Sequence, residues 1–158
     1  MESNLGLFDN GREANLTSTV SMVEDVLVEL GHFLNECRVE MPDTLHAWRV
    51  VKGSASVRIS LAKGGGYATL RVAAPVMTTD ARVDHLVLYR KLLVLNANQL
   101  SGAAFATRQN EILLVAERST LDLDRSEVLD LIRRVENYAD HYDDLLVDEF
   151  GGRLGGLD

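Results

Sequence analysis

Between Ser54 and Ala62 the chain reads SASVRISLA. Ala55, Val57, Ile59 and Leu61 alternate with Ser54, Ser56, Arg58 and Ser60, the period of two that sends successive side chains to opposite faces of a strand. The same period suits HAWRVVK at 46–52 and GYATLRVAA at 66–74, so three strands are predicted in succession. Upstream, Val20, Val23, Leu27, Leu30 and Leu34 recur at steps of three and four, which predicts a helix over about 19 to 38. Ser21 and Glu24 fit a capping box at its start, with Thr17 and Thr19 as rival starts. Downstream of Pro75, taken as a break, Val83, Leu86, Val87, Leu88, Leu92, Leu93, Val94 and Leu95 predict a helix over about 82 to 97 with apolar residues on more than one face. Two short strands follow, at about 102–107 and 111–117, joined by Arg108-Gln109-Asn110. A last helix is predicted over about 125 to 148, with Asp124 and Glu127 as its cap. Its stripe of Val128, Leu131, Ile132, Val135, Tyr138, Ala139, Tyr142, Leu145 and Leu146 faces a core or a second subunit.

The order α-β-β-β-α-β-β-α predicts an α+β domain, an antiparallel sheet with helices packed on one face. Residues 16–149 form that single domain. Residues 1–15 are expected as a flexible arm, with Leu5, Leu7 and Phe8 able to dock. Residues 150–158, rich in glycine, are expected as a flexible tail.

Lys63 followed by Gly64, Gly65 and Gly66 raises the question of a phosphate loop. Such a loop runs from a strand into a helix whose amides hold the anion. Here the glycines precede a strand and the lysine precedes the glycines, so a hairpin is the better reading. A two-residue turn at Gly64-Gly65 sets Leu61 against Ala68, Ile59 against Leu70 and Val57 against Val72. A turn at Lys52-Gly53 sets Val50 against Ala55 and Trp48 against Val57. Every apolar residue then meets another on one face, and a one-residue slip would undo this. On the opposite face Arg58 faces Arg71, with Arg49 diagonal to Arg58 and Tyr67 nearby. Like charges opposed in this way destabilise a sheet. A carboxylate from an acidic arm, a second subunit or a partner would relieve them; solvent and salt screening is the alternative. Arg49, Arg58, Arg71 and Tyr67 are therefore the candidate partner-binding residues.

Charge sharpens this picture. The net charge is −8. Residues 1–43 hold nine acids and two bases, or −7; residues 44–79 hold five bases and no acid, or +5; residues 119–149 hold ten acids and three bases, or −7. The acidic balance argues against general nucleic-acid binding, which needs cations to neutralise phosphates. The four histidines fall in different elements without metal-ligand spacing, and Cys37 is the only cysteine. No metal site, cofactor or intrachain disulfide is expected. A buried, inert thiol is expected at Cys37. No nucleophile stands with a base in a recognisable motif, so no catalytic residue is assigned. No apolar run approaches the roughly 20 residues that cross a bilayer, and the opening residues lack the apolar core of a secretory signal. A cytoplasmic protein is the simple expectation.

The stretch YRKLLVLNANQLSGAAFATRQNEILLVAERSTLDLDRSEVLDLIRRVENYADHYDDLL resembles the YbjN family, which is similar in fold to type III secretion chaperones. The resembling features are a helix ending in Leu95-Asn96, a small-residue strand around Gly102–Ala106, the strand Ile112–Glu117 and a long closing helix with Tyr138 and Tyr142. With the preceding helix and strands, the likeness covers about residues 16–148. It implies a non-enzymatic, protein-binding role as a chaperone-like adaptor or stress regulator, commonly dimeric. The expectation is a homodimer whose protein partner is basic, such as a nucleic-acid-binding protein, attracted to the acidic helices over long range. Direct nucleic-acid binding on the basic sheet face and small-ligand sensing are the alternative functions.

Overall fold

The computed structural model describes residues 3–156, with side chains from Phe8 onward. In chain order the elements are α1 (Ser3–Glu29), α2 (Leu34–Cys37), β1 (His46–Lys52), β2 (Ala55–Ala62), β3 (Thr69–Thr78), α3 (His85–Asn98), β4 (Ala104–Arg108), β5 (Glu111–Ser119), α4 (Arg125–Phe150) and β6 (Arg153–Leu154). The sheet has the order β1-β2-β3-β5-β4, with β6 beside β3. β4 and β5 are antiparallel, as are β3 and β6. The expected α+β order is present, with one short helix and one short strand added.

The first helix departs most from its expected span. It begins at Ser3 and ends at Glu29, because Gly31 sits at φ +89°. The Gly31 amide donates to the Val28 carbonyl at 2.9 Å, and the His32 amide donates to the Leu27 carbonyl at 3.0 Å. This pair of bonds is the Schellman closure, which favours glycine in the left-handed position. Ser21 and Glu24 thus lie inside α1 and cap nothing. Phe8 is exposed, and the side chains of Leu5 and Leu7 lie outside the described residues. β3 also runs on through Pro75, which removes one amide donor from the strand without ending it. α4 starts as expected: the Glu127 amide donates to Asp124 Oδ1 at 2.9 Å, and the Asp124 amide donates to Glu127 Oε2 at 3.0 Å. That reciprocal pair is a capping box.

Both expected turns are shifted. β2 ends at Ala62 and β3 starts at Thr69, so the glycine loop spans six residues rather than two. Gly64, Gly65 and Gly66 do not take up positive φ. The first hairpin turns at Gly53-Ser54, with Gly53 at φ +60°. Moving a two-residue turn by one position changes partners by two and leaves each side chain on its face. Trp48, Val50, Ala55, Val57, Ile59, Leu61, Leu70 and Val72 are accordingly all buried.

The chain forms two compact units, and β1, β2, β3, β5 and α4 each supply residues to both. Among the described residues, one contains 3–49, 59–71 and 117–130; the other contains 50–58, 72–116 and 131–156. In the first, Val23, Val26, Leu27, Trp48, Ile59, Leu61 and Leu70 are buried. Asn15 of α1 is tied to Thr120 by two hydrogen bonds, donating to its carbonyl at 3.0 Å and accepting from its hydroxyl at 2.7 Å. In the second, Val57, Val72, Leu88, Ile112, Leu114, Ile132, Val135 and Leu146 are buried. Burying such side chains stabilises each core by about 1.5–3 kcal/mol per residue before entropy is set against it.

Candidate functional site

The four residues expected to form a basic face are divided between the units. Arg49, Tyr67 and Arg71 belong to the first and Arg58 to the second. Arg49 is exposed, while Arg58 and Arg71 are half-buried. Arg71 forms an ion pair with Glu117 of β5. The carboxylate expected from outside the sheet therefore comes, at Arg71, from a neighbouring strand. Tyr67 stands in the glycine loop rather than on a strand, half-buried. Gly64 packs tightly there: a Cβ at that position would lie 2.4 Å from the Tyr67 carbonyl oxygen. The serines between the arginines are not open to solvent either. Ser56 is 3% exposed and Ser60 is 6% exposed, so β2 is covered on both faces over most of its length.

In the first unit the outer strand β1 borders a small groove. The Val39 amide donates to the Ala47 carbonyl at 3.1 Å, and Arg38 bridges to Trp48 as an isolated antiparallel pair. Two residues thereby occupy part of the free edge of β1. Glu24 of α1 accepts from Trp48 Nε1 at 3.2 Å and is ion-paired with Arg38 Nη2 at 2.6 Å. His46 stacks on Trp48 with ring centroids 6.1 Å apart. These residues, with Val20, Val39 and Leu45, line a cavity of about 190 Å³. Glu24 is a hub that sequence reasoning missed by assigning it to a helix cap. Its acceptance of the indole proton depends on a partner 24 residues away, which no local pattern signals. A second cavity of about 450 Å³ lies where Arg12, Leu16 and Leu45 meet Lys63 and the three glycines.

The second unit carries an apolar surface on α3. Leu86, Val87, Leu93 and Val94 are all more than half exposed, Leu86 at 81%. Their spacing places them on one side of the helix, while Leu88, Leu92 and Leu95 are buried on the other. The sequence placed apolar residues on more than one face of this helix; among the described residues one side is covered. Beside α3, β4 is a sheet edge. Asn96 reads that edge like a neighbouring strand, its Oδ1 accepting from the Phe105 amide at 2.7 Å and its Nδ2 donating to the Phe105 carbonyl at 3.3 Å. Tyr89, Leu92, Leu93, Asn96, Phe105 and Ala106 help to line a cavity of about 180 Å³ there. Phe105 packs edge-to-face on Tyr142 at 5.4 Å.

Cys37 is buried. Burial, with the nearby Glu36 carboxylate adding, pushes its thiol above the ordinary value, which suppresses the reactive thiolate. Among the described residues no group of three or more His, Cys, Asp or Glu side chains is placed to hold a metal ion. No helix among them is long and apolar enough to cross a membrane. The surfaces on hand are apolar helix faces, grooves and strand edges, which suit recognition of another polypeptide.

Comparison with known proteins agrees with this chemistry. The model of a family described as T3SS (YopN, CesT) and YbjN peptide-binding chaperone 1 matches residues 17–155. No curated protein matches the chain in sequence. Among solved structures the fold is similar to that in the ExsC-ExsE complex, with a TM-score of 0.59 at 15% identity, covering 83% of this chain and 96% of the other. It is similar to that in the HopA1-SchA chaperone-effector complex, with a TM-score of 0.57 at 9% identity over 84% and 97%. A third likeness is to the Yersinia pestis type III secretion chaperone SycH in complex with a fragment of YscM2, with a TM-score of 0.50 at 17% identity over 77% and 96%.

Proposed function

The chain belongs to the T3SS (YopN, CesT) and YbjN peptide-binding chaperone family, and on that premise we propose that it is a homodimeric adaptor holding an extended segment of a partner protein. The observation that carries this reading is the family match over residues 17–155, which takes in every strand and helix after the first half of α1. The solved relatives include a chaperone-effector complex and a secretion chaperone bound to a protein fragment, which supports a polypeptide as the ligand. The role is that of a non-enzymatic regulator or stress chaperone in the cytoplasm.

The dimer is formed by the outward face of α3. Four large apolar side chains exposed on one helix of a 158-residue chain make a patch of the kind that marks an interface. Twofold self-association suits such a patch, because the same residues meet their own copies. The partner is a basic protein, drawn by the acid-rich ends of the chain and by the net charge of −8. Arg49, Arg58, Arg71 and Tyr67 remain the proposed contacts for acidic parts of the client.

The test is light scattering on the wild type and on a Leu86→Glu, Leu93→Glu double variant. The wild type is expected at twice the chain mass and the variant at the chain mass, with unchanged circular dichroism. A wild type that stays monomeric at high micromolar concentration would remove the dimer.

A further inference from the structure

Residues 151–156 read GGRLGG and turn back from α4 onto the sheet. Gly151, Gly152 and Gly156 hold φ values of +82°, +79° and +75°, which L residues with side chains resist. Between them Arg153 and Leu154 form β6, antiparallel to β3, with Leu154 opposite Met77 and Arg153 opposite Thr78. The Gly155 amide then donates to the Val76 carbonyl at 3.0 Å. Two of these glycines are needed for closeness. A Cβ at Gly152 would lie 2.4 Å from the Thr78 carbonyl oxygen, and one at Gly155 would lie 2.5 Å from the Pro75 carbonyl carbon. Both obstacles are backbone and have no rotamer by which to step aside. Gly156 passes over β2, where a Cβ would meet Ser56 Cβ at 3.1 Å. Gly155 and Ser56 are buried.

Among the described residues the segment's main-chain bonding to β3 is two ladder positions and one further hydrogen bond, with Arg153 exposed and Leu154 half-buried. Segments with few buried apolar contacts open at a small fraction of the global unfolding free energy.

We propose that residues 151–156 are an in-chain occupant of a peptide-binding edge. The backbone of Val76–Thr78 accepts an extended client segment of the pattern Gly-x-apolar-Gly, and the chain's own segment is displaced when the client binds. The pattern comes from the seated segment: glycine where Gly152 and Gly155 approach backbone, a free choice at the exposed Arg153, and an apolar residue at Leu154. Strand addition of this kind draws affinity from main-chain hydrogen bonds and selectivity from alternate side chains. The proposal rests on the reading of the chain as a peptide-binding protein.

The test uses the full chain, the synthetic peptides GGRLGG and GGRLVG, and the variant Gly155→Val, in which the in-chain segment is forced off the edge. Binding is read from amide shifts of Val76, Met77 and Thr78. GGRLGG is expected to bind Gly155→Val at least about tenfold more tightly than the wild type, because a tethered competitor acts at millimolar effective concentration. GGRLVG is expected to bind neither. Equal binding to both chains, binding of the valine peptide, or no binding to a folded variant would overturn the proposal. A dimer lost in Gly155→Val would assign the edge to a second copy and overturn it as well. Native-state hydrogen exchange on the wild type decides the matter if the variant does not fold. The Gly155 amide is expected to exchange faster than those of Val72 and Ala74, and exchange only through global unfolding would sink the idea. A client that binds wild type and variant alike would leave the peptide-binding reading standing and remove this edge from it.

Discussion

Asp80 and Arg82 show how a single contact sets local electrostatics. The side-chain hydrogen bond from Arg82 holds the Asp80 carboxyl down at about 2, with the Arg82 amide helping. A carboxyl whose folded pKa is depressed contributes stability above its unfolded value of about 3.9, and the contribution is lost as the pH falls through the folded value. Arg82→Ala is expected to return the Asp80 midpoint to the ordinary carboxylate range in a carbon-detected titration; an unmoved midpoint would refute the assignment. Gly31 is the other instructive residue. Space around it is open, so an added Cβ meets nothing and only the backbone conformation resists. Gly31→Ala should cost about 1–2 kcal/mol in denaturant unfolding, and a neutral result would contradict the Schellman assignment. Trp48, 1% exposed, should cost about 3–5 kcal/mol when replaced by alanine. Gly31 was not read from the sequence as a helix stop. The apolar steps that continue through Leu34 concealed it, because residues 34–37 do resume a helical turn.

Among the elements, β1, β2 and α4 were the most legible. β1 matches its expected span, and β2 differs by one residue, because alternation fixes which residues lie inward whatever the turn does. Turns were less legible. The glycine loop is governed by the close approach of Gly64 to the Tyr67 carbonyl rather than by positive φ, a tertiary effect that spacing does not reveal. At the other hairpin Gln109 takes φ +55° to join Arg108 to Glu111, a conformation few would assign to glutamine. The Arg71–Glu117 pair was invisible for a related reason: it joins residues 46 apart, and which strand neighbours β3 is a matter of topology. Both side chains are near half exposed, so Glu117→Gln is expected to change stability by less than about 1 kcal/mol. A larger loss would mean that the sheet depends on the pair. α3 teaches the complementary lesson. Its pattern correctly announced more than one apolar face, yet a sequence does not say whether the second face meets its own chain or another.

At the scale of the whole molecule, the family was readable from element order and from the closing half of the chain, while the candidate contact residues fall in both units. Coverage of Ser56 by the glycine segment and the pairing of Arg71 both follow from contacts distant in sequence. What does persist is the charge distribution, acidic toward both ends with a basic block between them. Client binding driven by that charge should weaken as salt rises, since the screening length falls from about 10 Å at 0.1 M to about 3 Å at 1 M; an affinity independent of salt would leave apolar contact as the sole driver.

The most direct measurement is capture of partners by the purified protein from nuclease-treated lysate of its native cell. Calorimetry would follow, with synthetic peptides tiled across each protein retained. The account predicts one or two specific proteins, each with a short segment that binds as an isolated peptide. Specific partners whose peptides fail to bind while their folded domains do would contradict it, as would the absence of any specific partner.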